Sequence, residues 1–72
     1  MKGGNSELNI TIRAARVNKG YTQAEAAKLL HINIMTLVRW EKGETEPSFA
    51  DKQLMSQIYE WPVDHFIFSK EV

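Results

Sequence analysis

The chain has 72 residues, of which 43% are hydrophobic, and it contains no cysteine. This length suits one small domain, and the lack of cysteine excludes disulfides, thiol catalysis and cysteine-based zinc sites. No apolar stretch approaches the ~20 residues of a membrane helix, and the opening sequence MKGGNSELN lacks the apolar segment of a signal peptide. We therefore expect a soluble cytoplasmic protein that is not an enzyme and has no cofactor, metal, small-molecule ligand or membrane partner.

The charges balance overall but are unevenly distributed along the chain. Nine basic residues match nine acidic ones, which gives a net charge of zero. Up to Gly43 there are seven basic residues against three acidic ones, whereas from Glu44 onward there are two against six. A basic first part and an acidic second part favour two surfaces with different partners, although small domains often carry uneven charge without such a role.

Helix signals follow one another along the first part of the chain, whereas strand signals are weak. After a flexible lead-in over residues 1–7, apolar spacing predicts a first helix over residues 8–18, and Gly20 suits its C-terminal end. The sequence Thr22-Gln23-Ala24-Glu25 fits a capping box, which predicts a second helix over residues 22–30.

Three further helices are predicted in the remainder of the chain. They cover residues 34–42, residues 49–60 and residues 63–68, with residues 69–72 as a C-terminal tail. Asn33 and Ser48 are suitable N-caps for the first two, and Pro62 suits the first turn of the last one. The predicted fold class is therefore all-α, a compact five-helix bundle over residues 8–68.

Only three residues join the second and third predicted helices. So short a connection forces a steep crossing, which is the geometry of a helix-turn-helix over residues 22–42. The small side chains of Ala26 and Ala27 allow close approach, and Ile32 and Leu37 supply apolar contacts. A single helix fits the major groove of B-DNA, so the outer face of the third helix is the candidate DNA-binding surface.

A set of residues with a characteristic spacing extends over this region and beyond it. The set comprises residues 12–16 and 20–23, Ala27, Leu30, Ile32, Leu37, residues 39–43, Pro47-Ser48 and residues 62–64. With this set the chain resembles the Cro and lambda-repressor type (Xre family) of helix-turn-helix regulators over about residues 8–68. The resemblance implies a DNA-binding domain of the lambda-repressor type that regulates transcription in bacteria, their phages or mobile elements.

The resemblance also implies which residues contact DNA. They are Gln23, Asn33, Ile34, Met35, Thr36, Arg39 and Lys42. Gln23 matches a family position that contacts phosphate and braces the recognition helix; the alternative is an exposed residue without a partner. Arg39 is the candidate for bidentate readout of guanine, against the alternative of a solvated charge. Lys42 replaces a common Asn and can meet a phosphate.

Other conspicuous residues are interpreted as structural. The resemblance implies an ion pair between Arg16 and Glu41, so Glu41 receives no catalytic role. His31 and His65 lack the spacing of a metal pair and are interpreted as a turn residue and an exposed helix residue. Five aromatic side chains are interpreted as core and not as a surface for stacking bases: Trp40, Phe49, Tyr59, Trp61 and Phe66.

The leading hypothesis is a repressor-like or Cro-like regulator that binds a palindromic operator as a homodimer. A single module of this size buries too little area to hold a specific site alone, and two copies double the contacts. The C-terminal residues Phe66, Ile67 and Phe68 are the candidate dimer surface. A fragment of a longer repressor is an alternative that stays open.

The second hypothesis is a protein-interaction module on the same fold, an antitoxin-like or antirepressor partner. Most relatives are polar on the outer face of the third helix, whereas this chain has Ile34, Met35 and Val38 there. The following loop carries Glu44 and Glu46, which weaken contact with phosphate. The apolar face could bind a protein, but apolar side chains also contact the methyl group of thymine.

Overall fold

A computed structural model describes residues 8–68; the predicted lead-in (1–7) and tail (69–72) lie outside the described residues. The elements in chain order are β1 (Ile10–Thr11), α1 (Ile12–Lys19), α2 (Gln23–Leu30), α3 (Ile34–Lys42), α4 (Phe49–Tyr59), a 3-10 turn (Val63–His65) and β2 (Phe66–Ile67). Residues 8–68 thus form a mostly helical fold with four α-helices and a two-stranded sheet. No helix between residues 8 and 68 has the length and apolar character to span a membrane.

The helices α2, α3 and α4 begin at the predicted capping residues. Thr22 Oγ1 accepts a hydrogen bond from the Glu25 backbone N–H at 3.0 Å, and Thr22 N–H donates to Glu25 Oε1 at 2.9 Å. This reciprocal pair is the predicted capping box. Asn33 and Ser48 cap α3 and α4 without the reciprocal bond: the Asn33 side chain accepts the Met35 N–H, and the Ser48 hydroxyl accepts the Asp51 N–H.

The first helix starts four residues later than predicted. Thr11 is its N-cap, because the Thr11 hydroxyl accepts the Ala14 N–H at 3.1 Å, and Ile10–Thr11 are extended as β1. The helix ends at Gly20, whose φ of 88° lies in the left-handed region that only glycine adopts without strain.

The predicted fifth helix over residues 63–68 is absent. A single 3-10 turn follows Pro62, and Phe66–Ile67 then pairs in parallel with Ile10–Thr11, with Ile10 opposite Phe66. Three residues make too short a helix to be stable alone, whereas β-branched and aromatic residues suit a strand. The Trp61 indole N–H also donates to the Leu8 carbonyl at 2.8 Å, and this hydrogen bond links the two ends of the domain.

One apolar core lies between the helices and the sheet. It comprises Ile12, Ala15, Ala26, Ala27, Leu30, Leu37, Trp40, Met55, Tyr59, Trp61 and Phe66. Four of the five aromatic residues predicted as core belong to it, but Phe49 is 72% exposed. Phe49 is the first residue of α4 and does not share the i, i+4 row of Met55 and Tyr59, which is the row that α4 buries.

Candidate nucleic-acid interface

The helix-turn-helix is formed by α2, a three-residue turn and α3. His31 ends α2 in the left-handed conformation with φ of 60°, and the Ile32 N–H donates back to the Ala27 carbonyl at 3.0 Å. These bonds complete the end of α2 and redirect the chain within one turn. Ala26 and Ala27 are buried, and α2 packs against α3, so small side chains on α2 suit the close crossing.

The inner side of α3 is anchored in the core. Leu37 is fully buried and Trp40, three residues later, is buried as well. Residues three apart on a helix share a face, so these two side chains fix which face of α3 points inward. The remaining residues of α3 are thereby distributed between the flank and the outer face.

A buried polar network around the Glu41 carboxylate fixes α3 further; we call it the Glu41 network (Arg16, Gln23 and Glu41). Arg16 donates from Nε to Oε2 at 2.7 Å and from Nη2 to Oε1 at 3.2 Å, and Gln23 donates from Nε2 to Oε1 at 3.0 Å. Arg16 Nη1 also donates to the Tyr21 carbonyl at 2.8 Å. The network joins α1, the start of α2 and the end of α3.

The Arg16–Glu41 ion pair implied by the family resemblance is therefore present, with two parallel hydrogen bonds. Gln23 has a partner, which removes the alternative of an exposed residue without contacts. Sequence reasoning missed that the partner is Glu41. The family resemblance implied that Gln23 braces the recognition helix. It did not name the partner, because nothing in the local sequence links Gln23 to a residue 18 positions later.

The outer face of α3 carries most of the predicted DNA-contacting residues. Ile34 is 41% exposed and Met35 49% exposed, and Arg39 and Lys42 are exposed as well. Thr36 is half-buried and offers less surface to a ligand. Met35, Arg39 and Lys42 follow at steps of four and three residues and so share one accessible face of α3, which is apolar in the first turn and basic in the last.

Asn33 lies at the start of this surface and already has a structural role. Its side-chain oxygen accepts the Met35 backbone N–H at 2.8 Å, which leaves its amide N–H groups for other partners. The acidic loop beyond α3 is partly neutralised, because Glu46 pairs with the Lys52 ammonium. Lys52 also lies 4.5 Å from the centre of the Phe68 ring. Sequence reasoning did not identify Lys52.

The predicted dimer residues differ in their accessibility. Phe66 is 8% exposed and packs edge-on against Tyr59 and Phe68, so its side chain belongs to the core of its own chain and not to a partner surface. Ile67 is 38% exposed and Phe68 is half-buried. The available part of this segment is therefore Ile67 with one side of Phe68.

Neither histidine lies on the outer face of α3. His31 is an exposed turn residue, as predicted, whereas His65 is half-buried and lies in the 3-10 turn, not in the predicted α-helix. His65 Nδ1 is 3.1 Å from Asn9 Oδ1, another contact between the two ends of the domain. Within residues 8–68, no three His, Asp or Glu side chains are grouped so that they could hold a metal ion.

Tyr59 lies behind the Glu41 network in the core. Its side chain is fully buried, and its hydroxyl makes no hydrogen bond within residues 8–68. Burial, together with the nearby Glu41 charge and against that of Arg16, raises the pKa of Tyr59 to about 12. Tyr59 is therefore a neutral core residue at physiological pH.

The sequence profile of the Helix-turn-helix family matches residues 12–64, most of the chain. The chain therefore belongs to the helix-turn-helix family, in its Cro and lambda-repressor type. It is a DNA-binding helix-turn-helix regulator of transcription. No curated protein and no solved structure gives a significant match to the chain.

Proposed function

We propose that the chain is a repressor-like or Cro-like regulator that binds a palindromic operator as a homodimer, with α3 as its recognition helix. The observation that carries the proposal is the division of α3. Leu37, Trp40 and the Glu41 network hold one side, and Arg39 and Lys42 are the charges on the other. A helix fixed in this way presents its outer side chains in a set geometry to the major groove.

The predicted contacts divide into positioning and readout. Arg39 reads guanine from the middle of the outer face, while Lys42 meets a phosphate near the end of α3. The Gln23 amide has two N–H groups, and the one that Glu41 does not accept is available to a phosphate oxygen. Asn33 and Thr36 complete the contact surface at the start of α3.

The homodimer supplies the affinity that one module lacks, since a single module of this kind buries only about 600–1,000 Å² on DNA. We place the contact between copies at β2, with Ile67 at its centre. The described part of the chain forms a sheet of only two strands, so β2 pairs with β1 along one edge and has a second edge. An exposed apolar side chain beside a strand edge suits a second copy of the same strand.

The regulator carries out no catalysis in this proposal. It acts in the cytoplasm, on the DNA of a bacterium, a phage or a mobile element.

A salt titration on mixed-sequence and operator duplexes tests the DNA-binding part directly. The logarithm of affinity should fall linearly with the logarithm of salt concentration, with a slope near −0.9 for each phosphate contact. Binding that is absent, or independent of salt, would contradict the proposal.

The dimer is tested by Ile67→Asp, which puts a charge on the proposed contact and replaces no residue of α2 or α3. We expect a monomer in sedimentation, a loss of operator affinity and an unchanged helical circular dichroism signal. Val17→Asp is the matched control, because Val17 is 57% exposed on α1 and lies outside the proposed contact. An Ile67→Asp protein of unchanged mass and unchanged affinity would remove β2 from the dimer.

A second candidate function rests on the apolar part of the same surface. Exposed Ile34 and Met35, with half-buried Val38, are suited to a protein partner of the antitoxin or antirepressor kind. The acidic Glu44 and Glu46 would oppose DNA at this surface, although Glu46 is paired with Lys52. This function predicts a complex with a protein whose affinity hardly changes with salt, and no preference among duplexes.

A further inference from the structure

The outer face of α3 is chemically divided along its length. The first turn exposes Ile34 and Met35, at 41% and 49%, and the last turn exposes Arg39 and Lys42. Met35 and Arg39 are four residues apart, so they are neighbours on one row of the helix. A ligand that covers the apolar pair therefore also faces two cations.

Duplex DNA satisfies both requirements. The N-terminal residues of a recognition helix contact the base edges in the major groove. Among the groups exposed there, the thymine methyl group is the apolar one, and Ile34 and Met35 have no N–H or O–H with which to read the polar groups. Contact between these side chains and a thymine methyl removes apolar surface from water, while Arg39 and Lys42 remain available to guanine and phosphate.

We propose that each operator half-site presents a thymine methyl group to Ile34 and Met35, and that this methyl is a specificity determinant separate from the guanine read by Arg39. The inference rests on the function proposed above. Four residues of helix rise span roughly 6 Å and base pairs are stacked roughly 3.4 Å apart, so the two determinants lie no more than about two base pairs from each other.

The test changes single functional groups of the DNA. After selection of a site from a random duplex pool, each thymine is replaced in turn by deoxyuridine, which lacks only the methyl group. Each guanine is replaced by 7-deazaguanine, which lacks the N7 acceptor. One deoxyuridine position in each half-site should lower affinity about four-fold, and one 7-deazaguanine position within about two base pairs of it should lower affinity about ten-fold.

Variants then assign each effect to a side chain. Met35→Ala should bind the thymine and deoxyuridine duplexes almost equally and keep its sensitivity to 7-deazaguanine; Ile34→Ala should show a smaller version of the same change. Arg39→Ala should show the reverse pattern. Val17→Ala, a substitution of an exposed apolar residue on α1, should keep both effects. A base change and a side-chain change that each lower affinity, but lower it no further when combined, indicate a direct contact between the two groups. A variant that is merely less stable would keep the full effect of the base change.

The outcomes separate this inference from the function beneath it. Sequence-specific binding without a deoxyuridine-sensitive position, or an equal deoxyuridine penalty in wild type, Met35→Ala and Ile34→Ala, would overturn the methyl readout and leave the operator-binding function standing. The absence of salt-dependent duplex binding would overturn both. Loss of a protein complex through Met35→Ala, in a chain with no duplex preference, would assign the apolar face to a protein partner.

Discussion

Each side of α3 has an exception to the usual distribution, in which apolar side chains are buried and charged side chains are exposed. On the inner side, the charged side chains of Arg16 and Glu41 are only 8% and 4% exposed, whereas Ile34 and Met35 on the outer side are 41% and 49% exposed. Neither choice maximises the stability of an isolated domain, since a buried ion pair is often no better than apolar packing. Both choices suit a helix that is fixed in direction from one side and binds a ligand with the other.

The buried pair also differs from the ion pairs at the surface. Arg16 and Glu41 are joined by two hydrogen bonds, and Gln23 satisfies the same carboxylate. Lys19 and Glu60 are joined by one bond of 2.9 Å, with Glu60 71% exposed. Solvent screens the second pair and not the first, so the two pairs should respond very differently to loss of one partner.

The largest expected effect is therefore on folding. Arg16→Ala leaves the Glu41 carboxylate buried with Gln23 as its remaining donor, and we expect a loss of about 3 kcal/mol in the free energy of unfolding. Urea denaturation of wild type and variant measures the difference. Lys19→Ala removes the exposed pair and should shift the midpoint little. Superimposable curves for Arg16→Ala and wild type would show that the network does not hold α3.

The next effect is on DNA recognition by the outer face. Arg39→Ala should cost about 1–3 kcal/mol in operator binding and abolish the preference at a symmetric pair of base positions, because a bidentate contact to guanine is lost.

Gln23→Ala is the counterpart of Arg39→Ala on the inner side of α3. It removes the proposed phosphate contact and one bond to Glu41, so affinity should fall equally for all sequences while the preferred motif stays.

Selection from a random duplex pool, repeated with each variant, measures both results. An unchanged motif for Arg39→Ala would reduce Arg39 to a phosphate contact, and specificity would then come from Ile34, Met35 and Thr36 or from DNA shape. A changed motif for Gln23→Ala would show that the Glu41 network sets the direction of α3 closely enough to alter readout.

The sequence was most informative where structure depends on local signals. The capping box at Thr22 and the bounds of α3 follow from residues within one turn of each other, and the structure confirms them. The helix-turn-helix follows from two such helices and a short connection, which the family match supports. These features required no knowledge of distant contacts.

The features that the sequence did not reveal depend on residues far apart in the chain. The strand Phe66–Ile67 exists because it pairs with Ile10–Thr11, more than fifty residues earlier, and its sequence alone resembles the end of a short helix. The exposure of Phe49 follows from its position relative to the buried row of α4, which a count of aromatic residues does not show. The contact between Gln23 and Glu41 likewise requires the crossing of α2 and α3.

The smallest expected effect concerns the residue behind the Glu41 network. Burial raises the pKa of Tyr59 to about 12, above its ordinary value of 10.0, so folding favours the neutral phenol. Its contribution to stability is complete below pH 10, where the unfolded chain also keeps the proton. The contribution is lost as the pH rises toward 12, because the unfolded state releases its proton first.

Tyr59→Phe should remove this alkaline loss. Between pH 9 and pH 11 the wild type should lose about 1 kcal/mol more than the variant, and urea denaturation across this range measures the difference. At neutral pH the two should be nearly equal, because the buried hydroxyl makes no hydrogen bond within residues 8–68 and its removal leaves no partner unsatisfied. Tyr21→Phe, which keeps Tyr59, should retain the alkaline loss. A large destabilisation of Tyr59→Phe at neutral pH would instead mean that the hydroxyl is bound and that the support of α3 extends beyond the Glu41 network.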